Sequence, residues 1–295
     1  MERAGDNWII EAHAKINLGL DVTGRRKDGY HLVRMIMQEL ELHDTLYIKK
    51  KQHPGVQLET DAPGLAADRS NLIVRAAELI LETHAPGKGL QIRLEKRIPL
   101  AAGLAGGSAD AAAALRGINT VLELGLEKTE LCRLGVQLGA DIPYCIMGGT
   151  ALSEGIGEVL TPLPDLPCCY IVLGKPQEGM STAEAYRELD AMADIRHPDI
   201  DGQIRALQEG DLAGVVARLG NVLEPVTVSR QKEVNTIRNI LLEAGAVGAR
   251  MSGSGPTVFG IFTEEEKAQK ACSVLKEEPS REVILTTPAQ NGRNA

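Results

Sequence analysis

From Ile10 to Val22 apolar and polar residues alternate without a break: Ile10, Ala12, Ala14, Ile16, Leu18, Leu20 and Val22 take one side, and Glu11, His13, Lys15, Asn17, Gly19 and Asp21 the other. A period of two puts successive side chains on opposite faces, so this stretch predicts a half-buried β-strand. The turn-rich Gly24-Arg-Arg-Lys-Asp-Gly29 separates it from a second strand-like run over 35–48. Pro54-Gly55 and Pro63-Gly64 then punctuate a short strand around 56–58. Beyond them the period changes. Ile73, Ala76, Ala77, Ile80 and Leu81 recur at helical spacing behind Ser70 or Asn71, either of which suits an N-cap. Leu90, Ile92, Leu94 and Ile98 return to alternation and deliver the chain to Pro99-Leu-Ala-Ala-Gly-Leu-Ala-Gly-Gly-Ser108.

The run Ala109-Asp-Ala-Ala-Ala-Ala-Leu115 has high helix propensity. A further helix is predicted over 129–138, with Gly139 as its C′ residue, followed by a non-helical turn, Ala140-Asp-Ile-Pro143. The segment Thr161-Pro-Leu-Pro-Asp-Leu-Pro167 reads as a domain boundary, dividing the chain into 1–163 and 164–295. Past it come a strand at 170–173, helices opened by the capping box Ser181-Thr-Ala-Glu184, and a helix over about 230–244. Met251-Ser-Gly-Ser-Gly-Pro256 joins two short strands, the second over 257–262; a helix over 264–276 and a strand near 283–285 follow. The polar tail 290–295 is expected to be disordered.

Length and charge narrow the classes of function. At 295 residues the chain is long enough for two ordinary domains or one large one. A net charge of −8 argues against a broad nucleic-acid surface, and 3% aromatic residues leave few stacking platforms for single strands. The five cysteines (Cys132, Cys145, Cys168, Cys169 and Cys272) form no C-x-x-C pair and are odd in number, which suits a reducing compartment and offers no disulfide or zinc framework. The N-terminus does not read as a signal peptide and no segment has the length of a membrane span. These features predict a cytoplasmic protein with neither nucleic-acid nor membrane partners.

The candidate chemistry begins at the glycines. Gly103, Gly106 and Gly107 stand where the alanine-rich helix starts. Unpaired N–H groups and the positive end of the helix dipole lie there, and glycines let an anion approach the main chain. A phosphate cradle results; the plainer alternative is a loop that starts a helix with Ser108 as N-cap. The loop is not a Walker motif, because G-x-x-x-x-G-K-[ST] occurs nowhere: Lys88 and Lys175 sit in Gly87-Lys-Gly89 and Gly174-Lys-Pro176. Its positive charge must come from elsewhere. Lys15 and Asn17 share one strand face about 7 Å apart, either as a solvated surface or as a cation and an amide facing developing phosphoryl charge. Asp141 is a turn former or a general base toward a hydroxyl. Tyr30 and His31 either close a hairpin or hold a ring, with Tyr186 as a second stacking face.

Order sharpens these alternatives. Lys-x-Asn, Asp-Gly-Tyr-His, Pro-x-x-x-Gly-Leu-x-Gly-Gly-Ser, Gly-Ala-Asp-Ile-Pro and Met-Ser-Gly-Ser-Gly-Pro follow one another along nearly the whole chain, and this series resembles the GHMP kinase superfamily. The resemblance implies a two-domain α+β fold, with an N-terminal domain like ribosomal protein S5 domain 2 and a ferredoxin-like C-terminal domain. It implies an ATP- and Mg²⁺-dependent kinase of the non-mevalonate isoprenoid route, acting on the 2-hydroxyl of a cytidine diphosphate-linked methylerythritol. Lys15 and Asp141 match the family's catalytic pair. Pro99, Leu100, Ala101, Ala102, Gly103, Leu104, Ala105, Gly106, Gly107, Ser108 and Ala109 match its ATP phosphate loop, with Ser108 placed to approach Mg²⁺ and Asn71 near the adenine pocket. Asn17, Tyr30, His31 and Tyr186 match substrate contacts. A monomer or weak homodimer is expected. The alternatives are a sibling kinase of homoserine or mevalonate type, disfavoured because Asp28-Gly-Tyr-His31 has a purpose only if a nucleobase is held, and a non-catalytic ligand sensor, disfavoured because Lys15 and Asp141 are both present. Two departures carry consequences. Ala105 is strained if its φ is positive, and Asp110, in the first helical turn, must turn away from the phosphates or meet a cation.

Overall fold

The computed structural model describes residues 1–290; the rest of the tail expected to be disordered lies outside the described residues. The chain opens with β1 (Glu2–Ala4), the long strands β2 (Asn7–Arg25) and β3 (His31–Lys51), β4 (Gly55–Thr60), α1 (Leu72–His84) and β5 (Gly89–Glu95). Helices α2 (Gly106–Val121), α3 (Lys128–Val136) and α4 (Ile142–Met147) follow, then β6 (Thr150–Glu154), β7 (Val159–Pro162) and β8 (Tyr170–Lys175). The remainder runs α5 (Thr182–Leu189), α6 (Ile200–Gln208), α7 (Leu212–Val216), β9 (Gly220–Asn221), α8 (Glu224–Arg230), α9 (Lys232–Glu243), β10 (Gly248–Met251), β11 (Val258–Phe262), α10 (Glu265–Leu275) and β12 (Glu282–Thr286). Helix and strand are mixed along the chain, as an α+β fold requires.

Two compact units share these elements: residues 1–14, 42–98 and 105–147 make the first, and residues 15–41, 99–104 and 148 onward the second. In the first, β5 pairs antiparallel with β3, from Thr45 opposite Glu95 to Lys51 opposite Gly89, and parallel with β4. Helices α1, α3 and α4 pack on α2. The alanines of α2 explain that central place. Ala109, Ala111, Ala112, Ala113 and Ala114 are all buried, and a helix with methyl groups on every side admits close neighbours while keeping high intrinsic propensity. Gly117 continues the approach, since a Cβ there would lie 2.7 Å from Ile48 and 2.9 Å from Ile10.

In the second unit β10, β11, β8 and β12 form an antiparallel sheet in that order. Helices α9 and α10 pack on its strands, giving the β-α-β-β-α-β sequence of a ferredoxin-like arrangement with extra helices in the first crossover. Its core is Ile171, Val172, Leu173, Val258, Phe259, Ile261 and Phe262, all buried.

Several elements differ from the sequence pattern, each for a physical reason. β2 is not half-buried along its length: Lys15, Asn17 and Asp21, on its polar face, are all buried. Helix α6 covers that face near its middle, where Gln203 Nε2 donates to Leu18 O at 3.2 Å and a Cβ on Gly19 would clash with Gln203 and Ile200. α3 ends at Val136 with Gln137 as C-cap, so Gly139 is not its C′ residue. The residues after Asp141 are helical, because Pro143 falls in the first turn of α4, where its missing N–H leaves no bond unmade. β6 and β7 form a hairpin that proline spacing concealed. Of the two cap candidates for α1, the structure selects Asn71, whose side chain accepts from Ile73 N.

Replacing Ala112 with Leu forces extra methylenes into the packed surroundings of α2 and is expected to cost about 1–3 kcal/mol. A urea-unfolding midpoint equal to that of the parent chain would contradict this packing.

Candidate active site

The glycine loop departs from Ile98, just past β5, and three alternate residues adopt the left-handed region: Ala101 at φ 48°, Gly103 at φ 73° and Ala105 at φ 57°. Alternation of left-handed with other residues points successive main-chain N–H groups into one concavity that suits an anion. α2 starts at Gly106 with Ala105, not Ser108, as N-cap, and no side chain caps it. Ser108 therefore stands in the first helical turn with its hydroxyl not spent on the cap. Ala105 has the positive φ that its methyl group opposes, a cost of about 1–2 kcal/mol. Glycines 106 and 107 differ in what they need. A Cβ on Gly106 would sit 3.0 Å from Ile98 and from Lys96 Nζ, whereas one on Gly107 would meet nothing nearer than Leu72 at 3.7 Å. Protein packing does not require glycine at 107, and space for an incoming group remains over it.

Gly103 is held against the second glycine loop, residues 251–256, within the second unit. A Cβ on Gly103 would lie 2.3 Å from Ser252 O, and one on Gly253 would lie 2.9 Å from Gly103 O. Ser252 Oγ donates to Gly103 O at 2.9 Å and accepts from Asn17 N at 3.3 Å. Lys15 N donates to Leu104 O at 3.1 Å; Lys15 Nζ donates to Asn17 Oδ1 at 2.7 Å and reaches Gly103 O at 3.4 Å. The lysine, the asparagine and the entry half of the loop therefore form one hydrogen-bonded group, and Lys15 is 4% exposed. Asn221 fixes the second loop from below: its Nδ2 donates to Met251 O and Gly253 O, both at 2.8 Å, while its Oδ1 accepts from Leu223 N. No sequence signal pointed to Asn221, which lies in a two-residue strand without a motif.

The first unit answers the question of Asp110. Its side chain meets a cation, Lys96, at 2.9 Å, and Lys96 also pairs with Asp44. Asp44 accepts in addition from the main-chain N–H groups of Arg97 and Ile98, which brace the chain where the loop begins. All three side chains are almost fully buried, and among the described residues Asp110 Oδ1 has no hydrogen-bond partner. Burial, reinforced by the nearby Asp44 charge, pushes the Asp110 carboxyl up to about 8 against the pull of Lys96. Asp141, also in this unit, directly precedes α4 and is partly exposed, its carbonyl accepting from Cys145 N at 3.1 Å. Asn71 is occupied as a cap, its Oδ1 accepting from Ile73 N and its Nδ2 donating to Ala66 O.

The aromatic candidates gather in the second unit. Tyr30 is 59% exposed. His31 stacks at a tilt on Tyr186, with ring centroids 4.8 Å apart, and its Nε2 lies 2.7 Å from Asp190 Oδ1. Asp190 also takes a bond from Arg25 Nη1 at 3.0 Å. At 4.8 Å the two rings leave no gap for a third between them, whereas Tyr30 stands exposed. Asp190 was not legible in the sequence, lying more than 150 positions from its partners and outside any motif.

Two family models match the chain. The GHMP kinases N-terminal domain matches residues 71–149 and the GHMP kinases C-terminal domain residues 203–281. The chain belongs to the GHMP kinases. It is 45% identical over 278 residues to a 4-diphosphocytidyl-2-C-methyl-D-erythritol kinase of Lachnospira eligens, covering 94% of this chain and 96% of the relative. It is 48% identical over 267 residues to one of Acetivibrio thermocellus, covering 90% and 94%. A crystal structure of 4-(cytidine 5'-diphospho)-2C-methyl-D-erythritol kinase superposes with a TM-score of 0.80 at 32% identity, covering 96% of this chain and all of that one. Among the described residues, no helix is long and apolar enough to cross a membrane.

Relief of the left-handed strain makes Ala105→Gly more stable than the parent by up to about 1 kcal/mol, the flexibility of unfolded glycine offsetting part of the gain; a lowered thermal midpoint would contradict this. The raised Asp110 pKa has a definite sign. The folded chain holds a proton that the unfolded chain releases near pH 4, so this contribution to stability is complete below about pH 4 and is lost as pH rises through about 8. Asp110→Asn should flatten the fall in stability between these limits, as read from denaturant midpoints across pH.

Proposed function

We propose that this chain is an ATP-dependent small-molecule kinase that phosphorylates the 2-hydroxyl of 4-diphosphocytidyl-2-C-methyl-D-erythritol, in the non-mevalonate supply of isoprenoid precursors. The observation that carries the reading is the Lys15–Asn17–Gly103–Ser252 group, which sets a buried ammonium against the carbonyl side of a phosphate-type loop that has no lysine of its own. High identity to kinases of that name over nearly the full chain supports the substrate.

In this reading residues 99–109 cradle the ATP phosphates, with the room over Gly107 accepting the anion. The hydroxyl of Ser108 fits a magnesium ligand, since Mg²⁺ prefers oxygen donors and takes most of its shell from water and phosphate. Asp110 does not join it, because its carboxyl is committed to Lys96. Bound Mg²⁺ supplies charge neutralisation on the phosphates. Asp141 takes the proton from the acceptor hydroxyl. Lys15 stabilises the negative charge carried by the transferring group, and Asn17 holds its ammonium in place while contacting the acceptor. Tyr30 stacks on the cytosine ring. His31, oriented by Asp190, and Tyr186 form the wall beside it. Asn71 shapes the adenine side by fixing the start of α1.

A domain boundary at 163/164 stays the preferred division, and the two family matches fall on either side of it. Free cysteines support a cytoplasmic setting.

ADP release assayed with a panel of acceptors should be stimulated by the cytidylyl-methylerythritol compound and not by homoserine or mevalonate; the reverse preference would sink the substrate assignment. Asp141→Asn should lower kcat by about 10²–10⁴ with ATP affinity nearly unchanged. His31→Ala should instead raise the acceptor KM while sparing the ATP KM.

A further inference from the structure

At the start of β2, Glu11 and His13 occupy one face of the strand, two residues apart. His43 of β3 joins them within the first unit, its ring centroid 5.1 Å from that of His13. One donor atom from each of the three side chains lies within 4.8 Å of the other two. His13 Nε2 lies 3.2 Å from Glu11 Oε2, and His43 Nε2 lies 3.6 Å from Glu11 Oε1. Ligands about 2.0–2.1 Å from a tetrahedral Zn²⁺ are themselves about 3.3 Å apart, so each imidazole already stands near that spacing from one oxygen of the Glu11 carboxylate.

The environment has the asymmetry of an open site. The His13 side chain is 8% exposed, His43 24% and Glu11 57%. Two imidazoles are therefore held among packed neighbours while the carboxylate closes from the solvent side. Arg116 Nη2 donates to the main-chain O of Glu11 at 2.9 Å, which anchors the strand at the carboxylate's own residue. None of these side chains has a place in the phosphoryl-transfer chemistry above. From the donor set we infer that Glu11, His13 and His43 form a binding site for a divalent transition metal of the zinc class, with the remaining coordination positions open to water. Two imidazole nitrogens and one carboxylate suit zinc and its neighbours far better than the hard, oxygen-seeking magnesium that accompanies ATP. The site and the nucleotide loop thus select different ions. Occupancy would also tie β2 to β3 at a point two residues before Lys15 on the same strand.

Equilibrium dialysis of the full chain against zinc chloride, with excess magnesium chloride present, tests the assignment. The chain carries Cys168→Ser so that its exposed thiol does not compete. One tightly held zinc per chain is expected. Glu11→Gln and His43→Gln, both at solvent-accessible side chains that leave the fold intact, should each weaken it by at least about tenfold. Zinc retained equally by both variants, or no zinc retained by the parent in magnesium, would overturn the site. Acceptor phosphorylation is not the readout, so failure here leaves the kinase reading untouched.

Discussion

The contact of main chain on main chain at Gly103 is the constraint on which the arrangement of the second unit depends. With the Ser252 carbonyl 2.3 Å from where a Cβ would stand, no side chain fits there, and the positive φ disfavours other residues a second time. The close approach lets one hydroxyl, Ser252 Oγ, serve both Gly103 O and Asn17 N. Lys15 then follows from backbone geometry, since its own N–H is tied to Leu104 O one residue further along the loop. A side chain that is ordinarily solvated is kept buried because its ammonium is answered by an amide oxygen and a carbonyl.

A second constraint governs charge around the loop. The first turn of α2 favours an anion through its unpaired N–H groups and dipole, yet it carries Asp110. The conflict is resolved by burying Asp110 against Lys96, with Asp44 as the ammonium's other partner. Asp44 also accepts from two main-chain N–H groups at the exit from β5. One cluster therefore both removes a repulsive charge from the cradle and braces the strand that leads into it. Desolvation holds Asp110 toward its neutral form, which leaves the cluster with less net negative charge beside the loop.

Strain is spent at the same place. Ala101 and Ala105 adopt left-handed φ values in a loop that carries alanine where glycine would relax. Non-glycine residues persist in that region only where surroundings over-determine the backbone. Between Ala101 and Ala105, Gly103 is held by the second loop, which two hydrogen bonds from Asn221 fix in turn.

Local pattern determined most of the elements by itself. Period-two alternation from Ile10, helical spacing behind Asn71 and the alanine run after Ser108 each reappear as β2, α1 and α2, because hydrophobic period and capping chemistry act over a few residues. The order of the glycine, lysine and aspartate motifs likewise specified the family, since residues that approach phosphates closely have few substitutes. Tertiary structure alone decided what burial and distant partners decide. Lys15 and Asn17 lie on a polar strand face that the sequence allowed to be solvent and that α6 and the loops cover. Asp110 could have turned outward, and a lysine fourteen residues away captured it. Asp190 and Asn221 join these groups only through contacts with segments far off in the chain. Their side chains carry no local signature, because a hydrogen bond across the fold depends on where two backbones meet and leaves no period in either.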